Sequence, residues 1–218
     1  MAAGEGTRMR PLTERWPKPV LPIDGRPVVV TLIHDLAAAG IDRFAVVTGH
    51  LAEQVEALVA PLPYEIRFAR QEEPLGSAHA VSVAEPEAPF IAVAADTKFR
   101  PADLERFVAA AARADGAVAI RRQPGRPDHT QIHVADGRVV RFKEASPDRE
   151  WTAAPIMALG PRVARFLDPL PGRPPHELAD VLQLAIGDGA VVSAIQIGRT
   201  RDITSPVDLV RENFLYLR

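Results

Sequence analysis

The chain has 218 residues, 47% of them hydrophobic, which is enough for one large or two small domains with a sizeable core. Its net charge of -2 argues against a bulk nucleic-acid binder. It has no cysteine, hence no disulfide or thiolate metal site, and no apolar leader or membrane-length apolar run, which together point to a cytoplasmic protein without membrane partners.

The chain opens on a Gly/Pro-rich loop over 2–23. Apolar residues then recur at helical spacing over 27–39, with Gly40 as a C-cap. Residues 44–48 read as a buried strand, 51–59 as a helix, 64–68 as a strand and 77–84 as a helix. The apolar run 90–94 is a strand ending at Asp96. Pro101 opens a helix reaching about residue 114, and 117–121 is a strand. Past a loop at 124–127, segments 131–134 and 139–142 flank Asp136-Gly137, a strong hairpin signal. A strand over 152–159 follows, then helices over 161–167 and 177–186, a strand over 190–197 and a closing helix over 206–217. Alternating strands and helices predict an α/β fold, a Rossmann-like mixed and mostly parallel sheet flanked by helices. We read 1–218 as one unit. Its first half, 1–121, carries the opening loop, and its second half, 122–218, forms a lid on the same sheet. No strand precedes the opening loop, although a ligand loop in such a sheet belongs at a strand's carboxyl end. We therefore expect the first central strand to be missing, as either a misassigned start or a trimmed sequence would leave it.

The opening loop carries the chemistry. Gly4 and Gly6 can take positive φ and admit a ligand close to the backbone. Thr7 and successive backbone N–H groups can cradle anionic oxygens. Arg8 supplies a planar fork suited to phosphate, and Lys18 a compact charge. Four prolines stiffen the segment. The dinucleotide fingerprint is excluded because Met9 stands where its third glycine belongs, and the P-loop because no lysine directly follows Gly6. Of the 26 basic residues only Lys18, Lys98 and Lys143 are lysines, and all three fall inside candidate motifs.

The run Ala2-Ala3-Gly4-Glu5-Gly6-Thr7-Arg8-Met9-Arg10-Pro11-Leu12-Thr13, continued by Pro17-Lys18-Pro19 and Pro22, resembles the signature of the sugar-1-phosphate nucleotidylyltransferases. That resemblance implies transfer of a nucleotidyl group from an NTP to a sugar 1-phosphate, with release of pyrophosphate. It makes Arg8 and Lys18 the catalytic cations, and puts the nucleotide against Ala2, Ala3, Gly4, Gly6 and Thr7.

Three further segments extend the resemblance. Gln71 to Ala78 fits Q-x-x-P-x-G-x-A, in which Gln71 and Gly76 read a base, with uracil or thymine favoured. Asp96, at a strand end, and Asp202, in Asp202-Ile203-Thr204-Ser205-Pro206, stand where the family holds Mg²⁺. Phe142-Lys143-Glu144 resembles F-x-E-K, making Glu144 a sugar ligand, although Ala145 replaces the lysine. Asp128-His129 does not match the family's Y-G, and 177–180 resembles E-I-T-D only as a helix start would. The six histidines have no metal-ligand spacing, and His79 on a helix and His133 in a strand read as structural or exposed. The eroded sugar half leaves two alternatives: CTP-dependent transfer to a non-sugar phosphate such as phosphocholine, and a non-catalytic nucleotide-sugar-binding regulator. The residues fix no oligomeric state and leave a homo-oligomer open.

Overall fold

A computed structural model describes residues 1–112, 114–122, 130–144 and 151–214. Strands β1 (Pro22–Ile23) and β2 (Arg26–Pro27) form a small hairpin, followed by α1 (Val28–Ala38), β3 (Arg43–Thr48), α2 (Ala52–Val59), β4 (Glu65–Arg70) and α3 (Ser77–Val83). Next come β5 (Phe90–Val93), β6 (Thr97–Lys98), α4 (Pro101–Ala111) and β7 (Gly116–Arg122). The second half adds β8 (Ile132–Ala135), β9 (Arg138–Phe142), β10 (Trp151–Leu159), α5 (Pro161–Ala164), α6 (Leu178–Gly187), β11 (Val192–Gln196), β12 (Arg201–Asp202) and α7 (Pro206–Asn213).

The mixed α/β architecture is the one expected. Its main sheet has six strands in the order β5-β10-β7-β11-β9-β8. The parallel share is smaller than the strand–helix alternation suggests. Among the described residues only β7 with β11 and β3 with β4 pair in parallel as named strands, because β10 enters antiparallel between β5 and β7 and the β8–β9 hairpin closes the far edge. The second-half strands β8 to β11 thus extend the sheet that β5 and β7 begin.

Period-two alternation along β7 supplies both faces of the core. Val118 and Ile120 pack with Val181, Leu182 and Val192 on the α3–α5–α6 side. Ala117 and Ala119 pack with Leu36, Leu104 and Phe107 on the α1–α4 side. Arg121 continues the second face and is buried.

Between β3 and β5 lies a seam where a central strand would run. Met1 and Ala2 bridge it. Ala2 N donates to Val47 O at 2.7 Å, and Ala2 pairs with Thr48 in parallel. On the other side Met1 N donates to Val93 O at 2.8 Å, and Ala95 N donates to Met1 O at 2.9 Å. Met1 and Ala2 thus form a two-residue bridge between β3 and β5.

The last short strands matter for the site. Strand β12 pairs antiparallel with β6, setting Asp202 opposite Thr97, the residue that follows Asp96. Asp24 in the β1–β2 turn, with φ of 54°, takes two hydrogen bonds from Arg201 and one from Lys98 Nζ at 2.7 Å. Arg201 also pairs with Glu212 on α7. Lys98 and Lys143 are therefore committed to ion pairs, Lys98 with Asp24 and Lys143 with Asp180.

Candidate active site

The opening loop folds as three short 3₁₀ turns, Thr7–Met9, Leu12–Glu14 and Lys18–Val20. Gly6 enters the first with φ of 62°, the left-handed region that glycine tolerates at least cost. A Cβ there would stand 2.9 Å from Thr13 Cγ2. Thr13 Oγ1 donates to Gly6 O at 2.9 Å, and the Thr13 carbonyl meets His50 Nε2 at 2.6 Å. Met9 is fully buried with Ile23, Val28 and Ile203, which anchors the loop from below. Arg8 stays exposed one residue earlier.

This scaffold bounds a cavity of about 330 Å³ lined by Gly4, Gly6, Thr7, Arg8, Lys18 and Asp96, with Ala2 and Thr204 at its margins. The volume suits a small ligand. Lys18 Nζ makes a close ion pair with Asp96 Oδ2, so an anionic and a cationic group sit in contact inside the cavity. The side chain of Lys18 is only 15% exposed, which strengthens its field relative to water.

The second aspartate is held differently. Asp202 Oδ2 accepts from Arg121 Nη1 at 2.9 Å and from Thr200 Oγ1 at 3.1 Å. Its Oδ1 is buried with no hydrogen-bond partner among the described residues. Asp202 does not itself line the cavity, but Thr204 two residues on does, and β12 keeps Asp202 beside the Asp96–Thr97 turn. Two hard carboxylates at one strand junction, one with an orphaned oxygen, fit a divalent cation of the Mg²⁺ type.

Gln71 and Gly76 lie together. Gln71 follows β4, and its Nε2 donates to Gly76 O at 3.1 Å. Gly76 begins α3 with φ of 104°, and a Cβ there would stand 2.3 Å from His176 O. Gly49 separates Gln71 from Ala3, leaving no room for a Cβ against either carbonyl. Ala3 is thus placed between the cavity and the Gln71 loop. Glu144 is not brought to the cavity. It is exposed at the end of β9, with Arg141 at 3.4 Å. Ala145, Asp128 and His129 lie outside the described residues.

A family model, the MobA-like NTP transferase domain, matches residues 1–165. The chain belongs to that family. Among relatives of the MobA-like transferases, the bifunctional protein GlmU of Acidovorax ebreus is 31% identical over 235 residues, covering 96% of this chain and 48% of its own. The chain therefore spans about half the length of that curated relative. A 2-aminoethylphosphonate cytidylyltransferase of Lancefieldella rimae is 52% identical over 54 residues, 25% of this chain and 22% of its own. Among solved structures, a putative glucose-1-phosphate thymidylyltransferase of Bacillus anthracis superposes with a TM-score of 0.85 at 19% identity, covering 98% of this chain and 92% of that one. The family and its fold answer to the resemblance read from the opening loop.

Several groups at the site carry no sequence signal of their own. Arg121 sits in an apolar strand with nothing to tie it to Asp202, 81 residues away. His79, expected to be structural or exposed, does lie on α3, but its Nδ1 is 2.9 Å from Gln71 Nε2. The eight-residue spacing of Gln71 and His79 could have flagged the pair, since α3 turns back over the end of β4. No helix among the described residues is long and apolar enough to cross a membrane.

Proposed function

We propose that the chain transfers a nucleotidyl group from an NTP, UTP or dTTP in preference, to a sugar 1-phosphate. A phosphate oxygen of the acceptor attacks the α-phosphorus, the bond from that phosphorus to the β-phosphate oxygen breaks, and pyrophosphate leaves. A phosphate monoester is already a nucleophile, so the protein's work is alignment and charge stabilisation. The observation that carries the reading is the meeting of Arg8, Lys18 and Asp96 around one glycine-lined cavity in a chain of this family.

Arg8 neutralises the departing pyrophosphate, and Lys18 the α-phosphate and the incoming phosphate. The backbone of Ala2, Ala3, Gly4 and Gly6, with Thr7, cradles the nucleotide. Gln71 and Gly76 hold the base. Asp96 and Asp202 would hold Mg²⁺, which supplies Lewis-acid stabilisation of the phosphate charge. The buried Arg121 orients Asp202 through Oδ2 and leaves Oδ1 to face a cation. Glu144 as a sugar ligand has no support in its present position.

A second reading keeps the chemistry and changes both substrates: CTP as donor and a non-sugar phosphate or phosphonate as acceptor. The likeness to the cytidylyltransferase over 54 residues favours it, as does the eroded sugar motif. Pyrophosphate release, measured across UTP, dTTP, CTP and a panel of sugar phosphates, phosphocholine and aminoethylphosphonate, with and without Mg²⁺, separates the two. Release with no pair would leave the non-catalytic alternative standing.

A further inference from the structure

A glutamine amide by itself both donates and accepts, so it presents a two-faced edge to a base. In this structure Gln71 is not free to do so. Its Nε2 carries two hydrogens. One goes to Gly76 O at 3.1 Å, and Nε2 stands 2.9 Å from His79 Nδ1. Because an amide nitrogen only donates, His79 Nδ1 must be the acceptor, which places the histidine's proton on Nε2. Both amide hydrogens are thereby spent. Gln71 Oε1 accepts no hydrogen bond among the described residues, yet it is not sealed in the interior. Gln71 as a whole is buried at 6% exposure, so this one oxygen is its remaining polar atom.

We propose that His79 is a specificity-determining positioning residue, which takes up the second amide hydrogen and so makes Gln71 an acceptor-only reader of the base. The inference rests on the base-reading role proposed for Gln71. An acceptor-only group takes a base N–H and rejects a base lone pair presented at the same point. Uracil and thymine carry N–H at ring position 3, where cytosine carries a lone pair, so the two bases meet such a group oppositely. Without His79, Gln71 regains a donor and its amide loses one of two anchors. Discrimination in favour of uracil over cytosine then relaxes. His79 acts through Gln71 and touches no reacting atom.

Direct binding of UTP and CTP in the presence of Mg²⁺, followed by calorimetry on the wild type, His79→Ala and His79→Asn, tests this without an identified acceptor. Asparagine places Oδ1 at the branch position of Nδ1 and keeps an acceptor there. The UTP-to-CTP affinity ratio should move about tenfold toward unity in His79→Ala and stay close to wild type in His79→Asn, the size expected of one misplaced hydrogen bond. A folded His79→Ala protein that keeps the wild-type ratio overturns the inference and leaves the transferase reading intact. So does a wild type that binds both nucleotides equally, or an asparagine variant as relaxed as alanine. A wild type that binds none of UTP, dTTP and CTP overturns the base-reading role itself, and this inference with it. A wild type that prefers CTP overturns the inference as well and leaves the transferase reading intact.

Discussion

At Gly76 a single added methyl group meets backbone. The Cβ of an alanine would stand 2.3 Å from His176 O, at a φ of 104° that L-residues seldom adopt. Gly76→Ala should cost roughly 2–3 kcal/mol, from strain and the displaced 176 loop, read as a lower urea midpoint at unchanged slope. In the cavity the effects should be catalytic. Lys18→Ala removes a preorganised charge and should lower kcat about 100-fold or more while leaving the melting temperature within a few degrees. Asp96→Asn should lower kcat comparably and raise the Mg²⁺ concentration needed for half-maximal rate, and an unchanged Mg²⁺ dependence would remove Asp96 from the metal site. These residues were legible because loop chemistry is local: Gly4, Gly6, Thr7, Arg8 and Lys18 sit within 15 positions of one another. Arg121 was not, because it reaches Asp202 by a side-chain contact between strands 81 residues apart.

Among the elements, helices and hairpins follow the sequence closely. Asp136-Gly137 turns β8 into β9 with φ of 50° and 71°, as a two-residue hairpin demands. The amphipathic stretch predicted over 27–39 is α1, closed by Gly40 at φ of 98°. Strand order was not legible, because β5-β10-β7-β11 is set by contacts between segments tens of residues apart, to which local periodicity is blind. The two-residue strands β6 and β12 are too short to have a period, yet they align the aspartates. Their fixture is the Asp24–Arg201–Lys98 cluster, with Glu212 beyond it. Hydrogen bonds from Arg201, with Lys98 beside them, hold the Asp24 carboxyl far below the usual carboxylate range. The folded chain thus binds that proton less readily than the unfolded one. The carboxylate's contribution is present in full above about pH 4 and is lost as pH falls toward the folded value. With Asp24 37% exposed, solvent screening keeps that contribution to about 1 kcal/mol or less. Asp24→Asn should flatten the decline of melting temperature between about pH 4 and 2 and change nothing at pH 7 beyond a small uniform loss.

For the molecule as a whole, stability lies in the two faces of the six-stranded sheet. Phe107 is fully buried between α4 and that sheet, and Phe107→Ala should cost about 3–5 kcal/mol by chemical denaturation. The nucleotide half of the site hangs on something slighter. Strands β3 and β4, which deliver Gly49 and Gln71, form a sheet of their own and reach the main one through the backbone of Met1 to Ala3 and through side chains of α1, α2 and α3. A layer that shares no strand ladder with the main sheet can breathe about the Met1–Ala2 bridge on timescales that amide exchange reports. A nucleotide whose phosphates engage the opening loop and whose base engages Gln71 would span that joint and act as its rivet. Deuterium uptake at Val46 and Val47 should therefore drop when an accepted NTP is added, while uptake at Val118 and Ile120 in the main sheet stays as it was.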